Sequence, residues 1–189
     1  MIMIKRLIDL VAALVLSVLL FPVAMAVGIL VKMTSPGPML YWSNRIGRGN
    51  RLFRMPKFRS MRISAPVVAT HLLVDPEAYL TPIGSFLRKY SLDELPQLWS
   101  ILKGDMSIVG PRPALYNQYD LIELRVEHGV HVLTPGLTGW AQVNGRDDLT
   151  IPEKVKLDVE YLKHRSLWFD VKILWQTLMK VIRSDGVSH

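Results

Sequence analysis

The dominant feature of the hydropathy pattern is an uninterrupted apolar run near the start of the chain. Residues 10–31 read LVAALVLSVLLFPVAMAVGILV and contain no charged side chain. A helix of about 20 apolar residues is long enough to cross the hydrocarbon core of a bilayer. We therefore predict a membrane-inserted unit over residues 1–35 and a second, compact domain over residues 36–189.

A cleaved signal peptide is the alternative interpretation of this run. Lys5 and Arg6 precede it, and Ala-Met-Ala at 24–26 has the small residues of a cleavage site. However, apolar residues continue beyond that site to Val31, and a second group of cations follows. The pattern therefore favours a retained membrane segment.

The path of this segment through the membrane is left open by its residues. Lys5 and Arg6 precede the run while Lys32 and Arg45 follow it, and cationic flanks prefer the cytoplasmic side. Pro22 lies near the middle, where a proline removes one helix hydrogen bond and favours a kink or break. A re-entrant helix-break-helix satisfies both cationic flanks. A kinked span is the alternative, since transmembrane helices tolerate proline.

The remaining pattern predicts short strands followed by helices. Residues 39–46 and 51–61 resemble two strands around the turn Gly-Arg-Gly-Asn at 47–50, which predicts a small β-hairpin. Residues 63–81 are read as a loop or short helix. Further along, we predict helices over 82–90, 91–103, 115–132, 151–166 and 167–184, a buried strand over 106–109, and a glycine-rich loop over 131–148. The predicted class is α+β, mostly helical.

The last predicted helix is amphipathic. Trp168, Val171, Trp175 and Leu178 share one face. Such a helix lies on a lipid surface or packs against the domain core. We favour the core for most of its residues and keep the interfacial amphipathic helix as the other reading.

The net charge of +7 is concentrated in one part of the chain. No acidic residue occurs between Asp9 and Asp75, whereas eight cations do: Lys32, Arg45, Arg48, Arg51, Arg54, Lys57, Arg59 and Arg62. Basic segments beside a membrane anchor attract anionic lipid, so we expect membrane lipids and no nucleic acid as partners. The chain has no cysteine, which excludes a disulfide scaffold and thiolate chemistry.

The strongest candidate for chemistry is the carboxylate pair Asp93-Glu94 at the predicted start of a helix. Ser91 and Glu94 have the spacing of a capping box, so the pair could serve only to begin that helix. Arg88 lies close before it, and Arg112 stands between two prolines, which present a guanidinium rigidly. Guanidinium groups match phosphate oxygens. We expect a carboxylate among such cations to stay ionised, suited to attack phosphorus or to hold Mg²⁺.

Four segments resemble the monotopic phosphoglycosyl transferases, the bacterial sugar transferases. They are KRLIDL at 5–10, MPKFRSMR at 55–62, IGSFLRKYSLDELPQLWSILKGDMSIVGPRP at 83–113 and TPGLTGWAQVNGR at 134–146. Their order and spacing cover nearly the whole chain. The resemblance implies transfer of a sugar 1-phosphate from a UDP-sugar to undecaprenyl phosphate, with release of UMP, at the cytoplasmic face of the bacterial inner membrane.

The resemblance also assigns roles to residues. Asp93 would attack the β-phosphorus, carry the phospho-sugar and bind Mg²⁺, while Glu94 would assist as a metal-site or acid-base partner. Arg112 would bind phosphate. Weaker candidates for phosphate or nucleotide contacts are Arg88, Lys57, Arg59, Arg146 and Gln97. Family members have a re-entrant helix broken at a proline, which Pro22 matches, although many carry serine where this chain has Phe21.

Several alternatives remain at this point. AQVNGR at 141–146 resembles small members that use N-acetylated or diacetamido deoxysugars, with UDP-glucose or UDP-galactose as the alternative donor. A non-enzymatic basic membrane adaptor, with Asp93-Glu94 as a helix cap, is the rival from another class. Because Met1 precedes the apolar run by only a few residues, we expect a minimal form of the family. The oligomeric state cannot be read from the sequence.

Overall fold

A computed structural model of the chain describes residues 2–66, 68, 75–145 and 148–183. The helices are α1 (Ile2–Thr34), α2 (Gly84–Lys89), α3 (Leu98–Lys103), α4 (Tyr119–Glu127), α5 (Trp140–Val143), α6 (Ile151–His164) and α7 (Leu167–Arg183). The strands are β1 (Leu40–Ile46), β2 (Leu52–Phe58), β3 (Ser107–Val109) and β4 (Gly136–Thr138). Short 3₁₀ helices occur at Arg48–Asn50, Glu77–Tyr79, Leu92–Gln97 and Val130–Val132. The chain is mostly helical with small strands, as predicted.

Helix α1 is long and apolar enough to cross a membrane. Its middle is exposed, with 57% of Leu14, 67% of Val18 and 62% of Phe21 accessible. The helix assignment runs without interruption through Pro22, so the predicted division into two helices does not appear. A proline removes a single backbone donor, and the turns on either side keep their own hydrogen bonds.

The N-terminal end of α1 is fixed to the compact domain. Arg6 donates from Nη1 to the carbonyl of Ile101 (2.7 Å) and from Nη2 to that of Leu102 (3.0 Å), at the end of α3. Asp9 is 5% exposed and accepts a hydrogen bond from the Ser107 hydroxyl (2.7 Å). The KRLIDL segment therefore joins α1 to the domain.

The C-terminal end of α1 is fixed to the same domain. Val31 is fully buried in a cluster with Phe58 and Leu87. Arg59, at the end of β2, is 5% exposed and donates from Nη2 to the carbonyl and the hydroxyl of Ser35, both at 2.9 Å. Both ends of α1 thus contact one folded unit.

Strands β1 and β2 form the predicted antiparallel hairpin, with Lys57 opposite Tyr41. Strands β3 and β4 are parallel neighbours, and β4 falls where the sequence predicted only a loop. Gly110 and Gly136 permit this pairing, because a Cβ atom on Gly136 would collide with the backbone of Gly110. The pairing joins distant segments of three residues each, which leaves almost no local periodicity.

The two C-terminal helices are confirmed, and one detail of α7 corrects the prediction. Trp168 is 80% exposed and Trp175 is 61% exposed, whereas Asp170 and Ile173 are buried. The tryptophan face therefore points away from the core rather than into it. Large exposed apolar patches are typical of protein or membrane interaction surfaces.

Candidate active site

Asp93 and Glu94 lie in the 3₁₀ helix Leu92–Gln97, and both are buried, at 7% and 9% exposure. The predicted capping box is wrong. Ser91 adopts a left-handed conformation (φ 53°), and within the described residues its side chain makes no capping hydrogen bond. By contrast, Glu153 accepts from the backbone N–H (2.8 Å) and the hydroxyl (2.7 Å) of Thr150 at the start of α6.

Glu94 turns instead toward two cations from distant parts of the chain. Its Oε1 atom lies 2.8 Å from Nζ of Lys57, on β2, and 3.1 Å from Nη2 of Arg112. One carboxylate oxygen thus joins the hairpin to the Pro-Arg-Pro segment at 111–113. The structure brings together three of the residues that the sequence singled out.

The pKa of the Asp93 carboxyl is subject to several opposing effects. Burial raises the pKa of the Asp93 carboxyl above its usual range, and the positive charge of Lys57 opposes that rise. The charge of Glu94 raises this pKa further, while those of Arg88 and Arg112 lower it. The sequence-based expectation counted the cations but not the burial, which is the largest effect. Burial makes the carboxylate more basic than an exposed aspartate.

The Pro-Arg-Pro segment is held at three consecutive carbonyls. The oxygen of residue 111 accepts from the N–H of Gly136 (2.9 Å), that of residue 112 from Nη1 of Arg125 (2.8 Å), and that of residue 113 from Nη1 of Arg45 (3.1 Å). Two prolines and these hydrogen bonds fix the backbone that carries the Arg112 side chain. The predicted rigid guanidinium has its structural basis here.

Arg45, Arg125 and Asp158 are supporting residues that the sequence did not reveal. Arg125 donates from Nε (2.9 Å) and Nη2 (2.7 Å) to Oδ2 of Asp158, which is 1% exposed. Burial raises the pKa of Asp158, opposed by the charge of Arg125. Burial and the charge of Arg112 together lower the pKa of Arg45 to about 10, while Glu94 acts in the opposite direction. Their only sequence signal is a charged residue on an amphipathic element.

The weaker candidates divide into two groups. Gln97 is 2% exposed, and its Nε2 has no hydrogen-bond partner among the described residues; it follows Glu94 by one 3₁₀ turn and so shares its face. Arg88 acts on the pKa of Asp93 and contacts Sδ of Met61 (3.8 Å). Arg59, in contrast, is committed to the end of α1, and its contacts do not place it at the carboxylates. The predicted Arg146 lies outside the described residues.

Comparison with protein families shows which family the chain belongs to. The model of the family described as bacterial sugar transferase matches residues 1–184. The chain belongs to this family. The match includes α1, the β1–β2 hairpin and the Asp93-Glu94 pair.

Curated relatives of this bacterial sugar transferase are named as phosphotransferases. A UDP-N-acetylgalactosamine-undecaprenyl-phosphate N-acetylgalactosaminephosphotransferase of Aeromonas hydrophila is 38% identical over 97% of the chain and 44% of its own length. Two UDP-glucose:undecaprenyl-phosphate glucose-1-phosphate transferases are each 40% identical over 94% of the chain. The one from Xanthomonas campestris pv. campestris is covered over 38% of its length, and the one from Escherichia coli (strain K12) over 40%. The chain spans less than half the length of these relatives.

The donor atoms of the site are compatible with Mg²⁺ bound together with substrate. Across the described ranges, no three His, Asp or Glu side chains form a ready-made metal site. Mg²⁺ often uses one or two carboxylates and completes its shell with water and substrate phosphates. Asp93 can supply such a carboxylate, whereas Oε1 of Glu94 is already shared by Lys57 and Arg112.

Proposed function

We propose that this bacterial sugar transferase moves a sugar 1-phosphate from a UDP-sugar to undecaprenyl phosphate and releases UMP. The observation that carries the proposal is the arrangement around Glu94. Its carboxylate does not cap a helix but binds Lys57 and Arg112. The charges of the same two cations also act on the neighbouring Asp93. Family membership and the names of the relatives support the same reaction class.

In the proposed mechanism, Asp93 is the nucleophile. A carboxylate oxygen of Asp93 attacks the β-phosphorus of the UDP-sugar, the bond from that phosphorus to the bridging oxygen breaks, and UMP leaves. An oxygen of undecaprenyl phosphate then attacks the same phosphorus, and the Asp93 carboxylate leaves unchanged. The two displacements give undecaprenyl diphosphate sugar. Burial favours Asp93 in this role because its raised pKa reflects a poorly solvated, more basic carboxylate.

The neighbouring side chains bind and neutralise phosphate. Arg112 offers a fixed guanidinium with 32% of its side chain exposed, so that it can reach substrate while bound to Glu94. Lys57 and Arg88 add positive charge. Glu94 orients Arg112 and Lys57 through its ion pairs with them and serves as the acid-base partner. Mg²⁺, when bound at Asp93, would reduce the negative charge that opposes attack on a diphosphate.

The rival interpretation as an adaptor treated Asp93-Glu94 as a helix cap, and Glu94 does not have that role. The names of the relatives support a transferase instead. For the donor, we propose an N-acetylated or diacetamido deoxysugar, with UDP-glucose or UDP-galactose as the alternative. The Aeromonas relative is named for N-acetylgalactosamine and the other two for glucose. Release of UMP from a panel of UDP-sugars would identify the donor.

We further propose that α1 is re-entrant and that the domain lies at the cytoplasmic face of the inner membrane. Arg6 and Asp9 contact α3 and β3, while Val31 and Ser35 contact β2 of the same domain. A helix that crossed the bilayer would carry its first residues to the opposite side, beyond the reach of these partners. We propose that the helix bends near Pro22 within its continuous assignment, so that its path returns to the side of entry and keeps both sets of contacts.

The test of the activity is UMP release by purified protein with Mg²⁺, undecaprenyl phosphate and the donor found in the panel. Asp93→Asn is expected to abolish release while circular dichroism and the thermal midpoint remain those of a folded protein. Glu127→Gln, which neutralises an exposed carboxylate on α4, is the matched control and is expected to keep full activity. Turnover by Asp93→Asn at the rate of this control would refute the nucleophile assignment.

A further inference from the structure

A cavity of about 320 Å³ lies between the candidate active site and the helices α1 and α7. Glu94 and Arg112 line it from the catalytic side. Leu16 and Leu20 of α1 and Leu174 and Val181 of α7 line it as well. One continuous space therefore touches both Arg112 of the candidate active site and apolar side chains of α1.

The apolar lining comes from α1, which is long and apolar enough to cross a membrane, and from the exposed helix α7. Leu16 and Leu20 belong to the middle of the apolar run of α1, whose exposed side chains include Val18 at 67% and Leu19 at 67%. Helix α7 also carries Trp175, which lies outside the cavity lining and is 61% exposed. Tryptophan at such a position is typical of a membrane interface. The cavity is thus placed where a lipid could enter from the bilayer.

The α7 wall of the cavity is held in a defined position. The Thr177 hydroxyl lies 2.7 Å from the hydroxyl of Thr138, at the end of β4, and donates to the carbonyl of Ile173 (2.8 Å). Ile173 itself is fully buried in the main core. The wall is therefore part of the folded domain rather than a loosely attached helix.

Two cations line the cavity in addition to Arg112. Lys89 and Lys180 both face it, and among the described residues neither has a carboxylate within ion-pairing distance. Lys57 and Arg112, in contrast, share Glu94. The cavity thus has positive charge for a second phosphate, separate from the charge that neutralises the donor.

We propose that this cavity binds the lipid acceptor, with its phosphate near Lys180 and its first isoprene units between α1 and α7. The proposal rests on the proposed function and adds where the acceptor binds. A volume of about 320 Å³ is at the small end of the usual 300–1,000 Å³ of ligand pockets. It holds the head of the lipid, and the remaining chain lies in the bilayer.

The test separates the two halves of the reaction. Exchange of labelled UMP into the UDP-sugar needs only the donor, whereas product formation also needs the acceptor. Leu20→Trp and Leu174→Trp fill the cavity, and we expect them to lower transfer to undecaprenyl phosphate at least tenfold while UMP exchange stays within twofold. Val18→Trp and Leu178→Trp, on the same helices but outside the cavity lining, are the matched controls and are expected to change neither rate.

Lys180 gives a second readout. Lys180→Ala is expected to raise KM for undecaprenyl phosphate about tenfold with an unchanged UMP exchange rate, and Lys180→Arg is expected to restore most of the affinity. Equal transfer by the cavity variants and their controls, together with an unchanged KM in Lys180→Ala, would overturn the proposal.

Photolabelling tests the same site without reference to turnover. Undecaprenyl phosphate with a photoreactive group on its first isoprene unit should label peptides of α1 and α7 that contain Leu20 and Leu174. Labelling should decrease in Leu174→Trp and persist in Leu178→Trp. Labelling confined to other segments would contradict the acceptor site even if the protein turns over normally. Absence of UMP exchange in the wild type, with correct labelling, would instead refute the covalent mechanism and keep the site.

Discussion

The side chain of Glu94 shows how one residue pattern can have two outcomes. Ser91-x-x-Glu94 and Thr150-x-x-Glu153 have the same spacing, yet only the second forms a local hydrogen-bonded cap. Glu153 is exposed and accepts from Thr150, whereas Glu94 is buried against Lys57 and Arg112. A short motif therefore predicts a cap only where tertiary contacts offer the carboxylate nothing stronger.

The raised pKa of Asp93 predicts the pH dependence of the reaction. Since attack needs the ionised carboxylate, kcat/KM for the UDP-sugar should fall as the pH drops through a value above the usual range of aspartate. Lys57→Gln removes the charge that opposes the rise, so the acid limb should move to higher pH. The measurement is a pH profile of kcat/KM for the wild type and this variant.

Lys103→Gln is the control for this profile, because Lys103 pairs with Asp105 at a largely exposed position (3.0 Å). Its acid limb should coincide with that of the wild type. An acid limb that stays in place or moves to lower pH in Lys57→Gln would show that Lys57 does not act on the ionisation of Asp93.

Among the elements, those with strong local periodicity were predicted and those built by distant contacts were not. Helices α6 and α7 and the β1–β2 hairpin lie where the sequence placed them. The β3–β4 pair was missed because its strands have three residues each and meet across a long stretch of chain. The 3₁₀ form of Leu92–Gln97 was missed as well, since capping and apolar spacing indicate an ordinary helix there.

The ion pair between Arg125 of α4 and Asp158 of α6, here called the clamp, should be important for both stability and activity. Asp158→Asn leaves Arg125 buried without its carboxylate, and the loss of one partner of a buried ion pair costs about 3–5 kcal/mol. We expect a decrease of that size in the free energy of unfolding, measured by denaturant titration. KM for the UDP-sugar should also rise, because Arg125 holds the backbone of Arg112.

Lys103→Gln is again the comparison, since the loss of an exposed ion pair costs less than about 1 kcal/mol. A merely structural role for the clamp would lower stability and leave KM of the folded fraction unchanged. Rescue of KM in the double variant Asp158→Asn with Arg125→Gln would likewise contradict a role of Arg125 in positioning Arg112.

At the scale of the whole molecule, the apolar helix and the catalytic residues form one structure. The sequence predicted a membrane unit and a separate domain, but Ala13 of α1 is fully buried in the same core as Ile101 and Ile173. Helix α1 is therefore packed into the core of the domain that carries the candidate active site. Sequence periodicity could not reveal this, because the apolar face that meets the domain is indistinguishable from the face that meets lipid.

The contacts at both ends of α1 predict that both ends lie on one side of the membrane. The chain has no cysteine, so Met3→Cys and Met33→Cys, at positions 86% and 78% exposed, each give a single reactive thiol. A membrane-impermeant maleimide should label both variants from the same side as Glu127→Cys in the domain. Labelling of Met3→Cys from the opposite side alone would show that the helix spans the bilayer.

The central claim is that Asp93 forms a covalent phospho-sugar intermediate. The most direct measurement is the intact mass of the protein after incubation with Mg²⁺ and its UDP-sugar in the absence of undecaprenyl phosphate, followed by peptide mapping. We predict an added mass equal to the sugar phosphate, located on Asp93, absent in Asp93→Asn and removed when undecaprenyl phosphate is supplied. Transfer of the sugar 1-phosphate without any such adduct, or with an adduct on another residue, would contradict the account.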